Sequence, residues 1–318
     1  MSNSKEDRKK KKIISLLLRI SLSIALLIWL FSRVEVHGIL SAIKRLNPKV
    51  WLIAFLMYIL TQIISSVRWW VLAKALEFSG NFFMYLGYYF VGMFFNLFLP
   101  TAVGGDVLKI IFLSKGQGRR LAATYSVLAD RLFGLAAMLI IGACAVLYKP
   151  FMLPEHFNNL LKLSGLLTIV VLIFFPLIIR LIERLYPEIG EKLSTLIIFW
   201  KRPWAGSLAL FLSLILQGLG MAAVALLGSS MGIHVPWQYY FATYPLVAIL
   251  TLLPISFNGI GVREGGFVYF LGLKSVPTEI SLTLSLLFFS IQVASSLIGG
   301  IAYAFGVHNI SLNLKEEL

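Results

Sequence analysis

Only one of the 318 residues is cysteine, Cys144, so a single chain carries no internal disulfide framework; its place in an apolar run makes it a packing residue rather than a reactive thiol. Histidine is equally sparse. His37, His156, His234 and His308 are scattered among expected loops, with no Cys or carboxylate at ligand spacing, so neither a metal nor a cofactor is expected. No P-loop, nucleophile motif or dinucleotide fingerprint occurs in the context it needs, because the Gly-x-Gly elements lie in apolar sequence without a flanking βαβ unit. Charged residues are only 13% of the chain, against about a quarter in ordinary soluble domains. No polar stretch is long enough for a soluble catalytic domain. The longest, roughly Ile182 to Pro203, is broken by apolar residues and reads as an interfacial or juxtamembrane helix.

What is present is hydrophobic surface: 59% of residues, with a mean hydropathy of +0.88. The chain is therefore read as an all-α polytopic membrane protein. Lys and Arg number 28 against 14 Asp and Glu. An excess of this kind orients a membrane protein and attracts anionic lipid; it is not a nucleic-acid footprint.

The basic tail, residues 1–12, is expected in the cytoplasm, and the run Ile13–Phe31 that follows is a retained first span rather than a signal peptide. Residues 33–49 suggest a short surface helix. Further spans are expected over 50–73, 82–99, 121–148, 160–181, 205–231, 238–253 and 280–305, with two short apolar pieces at 107–113 and 266–273. This gives about eight transmembrane helices and two broken or re-entrant half-helices. The first membrane repeat would cover 13–148 with a broken motif at 96–113, and the second 149–308 with a broken motif at 253–273. A short tail, 309–318, closes the chain. Basic loops at Lys115–Arg120 and Arg180–Arg202 favour an inverted repeat in the cytoplasmic membrane, with both termini cytoplasmic. The other tracing makes each motif a hairpin returning to the side it left, and puts Arg119 and Arg120 outside.

Two stretches interrupt the apolar pattern. NLFLPTAVGGDVLK runs from Asn96 to Lys109, and LPISFNGIGVRE from Leu253 to Glu264. When their prolines are superposed, Gly105 meets Gly259 and Lys109 meets Arg263. Proline removes a backbone donor and glycine relaxes the backbone, so both favour a break in a helix. Irregular backbone at membrane depth survives only where protein buries it or it lines a wet cavity, which points to one polar site.

A charge at the centre of a span costs about 2.5–3.5 kcal/mol, so charges kept there need partners or water. Asp106 and Lys109, three apart, can meet on one helical face, whereas Asp130 and Arg131 are neighbours and must look elsewhere. Cross-helix pairing of Asp130, Arg131, Arg263 and Glu264 would tie both motifs to the fourth span. Such a set is either a structural ion-pair network or a site whose cations Arg263, Lys109, Arg131 and Arg68 keep charge for an anionic headgroup. In the second reading Asp106, Asp130 and Glu264 orient the cations, and N–H groups at Gly104, Gly105, Gly259 and Gly261 assist. Arg68-Trp69-Trp70 reads as an interfacial anchor, with Arg68 as a lipid-phosphate contact the other reading.

The series Arg68-Trp69-Trp70, Asn96, Leu99-Pro100-Thr101, Gly104-Gly105-Asp106, Asp130-Arg131, Pro254-Ile255-Ser256, Asn258-Gly259-Ile260-Gly261 and Arg263-Glu264 resembles the membrane domain of lysylphosphatidylglycerol synthase/flippases over nearly the whole chain. Lys109 stands where much of that family has Arg, which keeps the charge but loses bidentate phosphate geometry. The resemblance implies translocation of a phospholipid or lipid-linked headgroup between leaflets, with the soluble aminoacyltransferase domain absent from this sequence. It extends the candidate site to Asn96 and Asn258. An intramembrane transferase using Asp106 or Glu264 as general base is the rival, and a non-catalytic partner of a separately encoded transferase is a third reading. Expected partners are an anionic lipid, the membrane itself, such a transferase and a second copy of the chain.

Overall fold

A computed structural model describes residues 47–98, 104–115, 118–149, 153–253 and 256–306, with scattered positions between 14 and 30. The expected first span is described only at those scattered positions. Both tails, most of the expected 33–49 surface helix, and Leu99, Pro100, Thr101, Pro254 and Ile255 of the motifs lie outside the described residues.

The described chain forms α1 (Pro48–Ala75), α2 (Phe82–Phe98), α3 (Gly104–Ser114), α4 (Arg120–Tyr148), α5 (Glu155–Leu185), α6 (Pro187–Ser194), a 3-10 turn (Thr195–Ile197), α7 (Ile198–Lys201), α8 (Pro203–Ser230), α9 (Trp237–Leu252), α10 (Val262–Gly272) and α11 (Thr278–Ala304). Five of these, α1, α4, α5, α8 and α11, are long and apolar enough to cross a membrane. At 1.5 Å per residue the 28 residues of α1 reach about 42 Å, more than a hydrocarbon core of about 30 Å, whereas the 11 residues of α3 or α10 reach only about 16 Å. The short pair cannot span. Helix α1 starts where the Asn47 side chain accepts from the Lys49 amide at 2.9 Å, with Pro48 in the first turn where its missing N–H costs nothing. Within the spans, hydroxyls bond back to their own helix, as Ser66 does to the Gln62 carbonyl and Thr243 to the Tyr239 carbonyl. Such bonds keep those hydroxyls satisfied where no water reaches them. Helix α5 is the most lipid-exposed, with Leu163, Leu166, Ile173 and Leu177 all on the surface.

Helices α1 and α8 pack antiparallel. Arg202, just before α8, donates to the Ala75 carbonyl at the end of α1, while Ala54 near the start of α1 shares a core with Val224 and Leu227 near the end of α8. Helix α4 begins at the same end, where Arg119 donates to the Glu77 carbonyl at 3.3 Å. Lys115, Arg119, Arg120, Lys201 and Arg202 therefore gather at one end of the bundle, here termed the basic end.

Helices α2 and α3 form a hairpin rooted at that end. The Tyr88 ring meets Phe112 at 5.2 Å, and Gly92 faces Gly105 so closely that a Cβ on Gly105 would lie 1.9 Å from the Gly92 carbonyl oxygen. Helices α9 and α10 form the corresponding hairpin at the opposite end: the Tyr239 hydroxyl donates to the Phe270 carbonyl, and Val247 lies against Gly266. The remaining contacts come in matched sets. Helix α4 packs on α9 as α11 packs on α2, and α4 on α8 as α11 on α1. Antiparallel partners at the centre and hairpins rooted at opposite ends are the packing an inverted repeat requires; a hairpin that stranded Arg119 at the far end would not give it.

If the basic end faces the cytoplasm, as loop charge requires, Lys115→Cys and Lys201→Cys in a Cys144→Ser background will react with an impermeant thiol reagent only after cells are permeabilised. Gly232→Cys, at the other end, will react in intact cells. The reverse pattern would overturn that orientation.

Candidate functional site

The two breaks meet. The Asn258 amide donates to the Asn96 main-chain carbonyl at 2.7 Å, joining the tip of one hairpin to the tip of the other. Each tip is organised by its own cap. The Asn96 side-chain oxygen accepts from the Gly105 amide at 2.7 Å, and the Glu264 carboxylate accepts from the Gly261 amide at 2.6 Å. Asn258, Gly259 and Gly261 all have positive φ, at 54°, 76° and 86°, a turn that glycine adopts freely and Asn tolerates. The amides of Gly105 and Gly261, expected to face an anion, are thus already bonded within the protein. Gly104 opens α3, and Gly259 packs its α-carbon against Thr251.

Around these tips the charges pair off. Arg68 is 4% exposed and donates to Asp130 Oδ1 at 2.7 Å and to Ser213 Oγ at 2.8 Å. Trp69 is wholly buried with its indole N–H on Ser126 Oγ. The interfacial anchor expected for this trio is therefore corrected: α1 turns Arg68 inward because α4 offers it a carboxylate. Asp106 takes two cations, Lys109 at 3.5 Å on its own helix and Arg131 at 2.8 Å from α4. That first motif is tied to the fourth span as expected. The second is not. Arg263 pairs with its neighbour Glu264 at 2.6 Å, donates to Gln292 Oε1 at 3.1 Å and lies over the Phe289 ring at 4.4 Å. The left-handed turn at Gly261 folds Glu264 back as a cap, which brings its carboxylate within reach of the long Arg263 side chain; Ser285 of α11 bonds the same oxygen at 3.3 Å. This motif is therefore anchored to α11 rather than to α4.

These charges surround a cavity of about 550 Å³ built by both halves of the chain. Seven candidate residues line it: Arg68, Asn96, Lys109, Asp130, Arg131, Asn258 and Arg263. Gly104, Gly105, Asp106, Gly259, Gly261 and Glu264 stand behind the wall as supports. Four cations, Arg68, Lys109, Arg131 and Arg263, face three carboxylates, Asp106, Asp130 and Glu264, so among the described residues the constellation carries one net positive charge. Lys109 sits 3.6 Å from the Tyr89 ring centre, a cation–π contact that offsets part of its desolvation. Sequence reasoning missed the uncharged part of the wall, notably Gln62, Gln217 and Gln292. A glutamine inside an apolar span is itself a signal, because its amide must be satisfied away from water.

Long apolar helices enclosing two broken hairpins that touch beside a cation-rich cavity define a polytopic α-helical membrane protein. The chain belongs to the family described as lysylphosphatidylglycerol synthase TM region, which it matches over residues 16–300. It is similar to UPF0104 membrane protein PH1989 of Pyrococcus horikoshii, 28% identical over 168 residues that cover 51% of this chain and 48% of that protein. It is also similar to UPF0104 membrane protein MJ1595 of Methanocaldococcus jannaschii, 23% identical over 304 residues, 87% of this chain and 90% of that protein.

Removing one partner of a buried ion pair leaves the other uncompensated, at a cost of about 3–5 kcal/mol. Arg68→Ala is therefore expected to lower the melting temperature of the purified protein in detergent sharply, and adding Asp130→Asn to restore much of the loss. Equal melting of wild type and Arg68→Ala would remove the pair from the stabilising set.

Proposed function

We propose that this protein moves a lipid with an anionic headgroup between the leaflets of the cytoplasmic membrane. The observation that carries the reading is the cavity's imbalance: one cation more than carboxylate, at the point where the two broken hairpins meet. The excess of one positive charge favours an anionic ligand, and a phosphate oxygen is the ligand that Arg and Lys donors fit best. The tails of such a lipid can stay in hydrocarbon while the head crosses. Rocking of one repeat against the other would open the cavity to each leaflet in turn.

The rival reading, a transferase with Asp106 or Glu264 as general base, is weakened by the geometry. Neither carboxylate lines the cavity; Asp106 is held by two cations, and both oxygens of Glu264 are bonded. A base needs access to the proton it removes.

In proteoliposomes carrying an acyl-labelled fluorescent phosphatidylglycerol, the wild-type protein will make inner-leaflet probe accessible to dithionite. Arg131→Gln, which leaves Asp106 its Lys109 partner and brings the constellation to neutrality, will slow this exchange by about tenfold or more, the effect of losing one charge-assisted contact. Arg263→Gln will do the same. Wild-type exchange no faster than in protein-free vesicles, or exchange unchanged in both variants, would overturn the assignment.

A further inference from the structure

The uncharged wall of the cavity says what the rest of the headgroup is made of. Three glutamines line it, and each has one end of its amide bonded and one end left over. Gln62 donates to Thr61 Oγ1, Gln217 donates to the Gly134 carbonyl, and Gln292 accepts from Arg263. Among the described residues, Gln62 Oε1, Gln217 Oε1 and Gln292 Nε2 have no hydrogen-bond partner. The hydroxyls of Tyr58 and Tyr244, on the same wall, are in the same position. Two acceptors, one donor and two phenols, which both donate and accept, make a surface for hydroxyl groups.

An ammonium group could donate to the same oxygens, but it finds no free counter-charge among the described lining residues. Among the described residues Asp130 is the one carboxylate lining the cavity, and it is already bonded to Arg68 at 2.7 Å. Two of the aromatic faces on the wall are already taken by cations, Tyr89 by Lys109 and Phe289 by Arg263. A headgroup amine would enter a pocket that is already one charge positive. The same arithmetic limits the anion: one excess positive charge balances one negative charge, that of a phosphodiester, and not the two or more of a phosphomonoester or a pyrophosphate.

We infer that the cavity selects a phosphodiester lipid whose headgroup bears hydroxyls and no amine, a polyol or sugar, with Gln62, Gln217 and Gln292 as the specificity-determining residues. The inference rests on the proposed function for its setting, but binding and transport test it separately. It also sets this chain apart from the lysyl-bearing lipid in its family's description, since a lysyl group would bring ammonium charge where no free carboxylate waits.

The test measures two things on the purified full chain. One is the melting temperature in detergent with added phosphatidylglycerol, phosphatidylinositol, phosphatidylethanolamine or phosphatidic acid. The other is dithionite-detected exchange of acyl-labelled versions of the same lipids in proteoliposomes. The glycerol and inositol lipids are expected to raise the melting temperature and to exchange about tenfold faster than the ethanolamine lipid and phosphatidic acid, a ratio of the size one unmatched polar group produces. Gln217→Leu is expected to bring that ratio down to about threefold or less by removing a hydroxyl partner. Gln292→Glu keeps an acceptor for Arg263 and adds the missing carboxylate, so exchange of the ethanolamine lipid should rise in it relative to wild type. Equal exchange and equal stabilisation by all four lipids overturns the headgroup inference while leaving a transporter. Selective stabilisation without exchange upholds the headgroup inference and overturns transport. Preference for the ethanolamine lipid, or no effect of any lipid in either measurement, overturns the inference.

Discussion

Hydrocarbon cannot solvate a charge, so each ionised side chain in the middle of this bundle has to bring a partner within reach, and the helices are placed accordingly. Asp130 draws Arg68 inward from α1, Asp106 draws Arg131 across from α4, and Glu264 folds back on Arg263. The first two pairs fix α1 and α3 against α4, and the third fixes α10 against α11 through Gln292 and Ser285. Close glycine contacts allow the approach: without the bare faces of Gly92 and Gly105, the α2–α3 hairpin could not close far enough to put Lys109 beside Tyr89. Dispersion between apolar faces holds the lipid-facing helices together, but the ion pairs decide which helix meets which.

Much of this was legible in the sequence, and the reason is lipid. A span must be apolar for a fixed length, so expected bounds such as 121–148 and 205–231 fall within two residues of α4 and α8. The two motifs could be matched through their prolines because a break at membrane depth needs the same chemistry in each repeat. Pair identities were harder. Asp106 and Lys109 lie on one turn and could be foreseen, whereas Arg68 and Asp130 are separated by 62 positions and nothing in the local pattern joins them. Arg68-Trp69-Trp70 resembled a headgroup anchor because the same residue types serve at an interface and in a buried cluster. Arg263 and Glu264 were expected to pair across helices with the fourth span; the cap that holds Glu264 on the Gly261 amide puts its carboxylate beside Arg263 instead, and spacing alone does not show it.

The family relationship fixes the architecture more firmly than the activity. Membership rests on a match over residues 16–300, and the two archaeal relatives bear names that describe only membrane proteins. The family's description includes a synthase, yet the carboxylates that could act as bases are committed to caps and ion pairs. What faces the cavity is its cation-rich, amide-rich wall.

The two hairpins enter from opposite ends of the bundle and meet where Asn258 reaches the Asn96 carbonyl. Helices α2 and α9, at 17 and 16 residues, reach only about 25 Å, less than a hydrocarbon core of about 30 Å. An element shorter than the apolar layer is matched to it by tilt or by local thinning of the bilayer, so acyl-chain length bears on the surroundings of this junction.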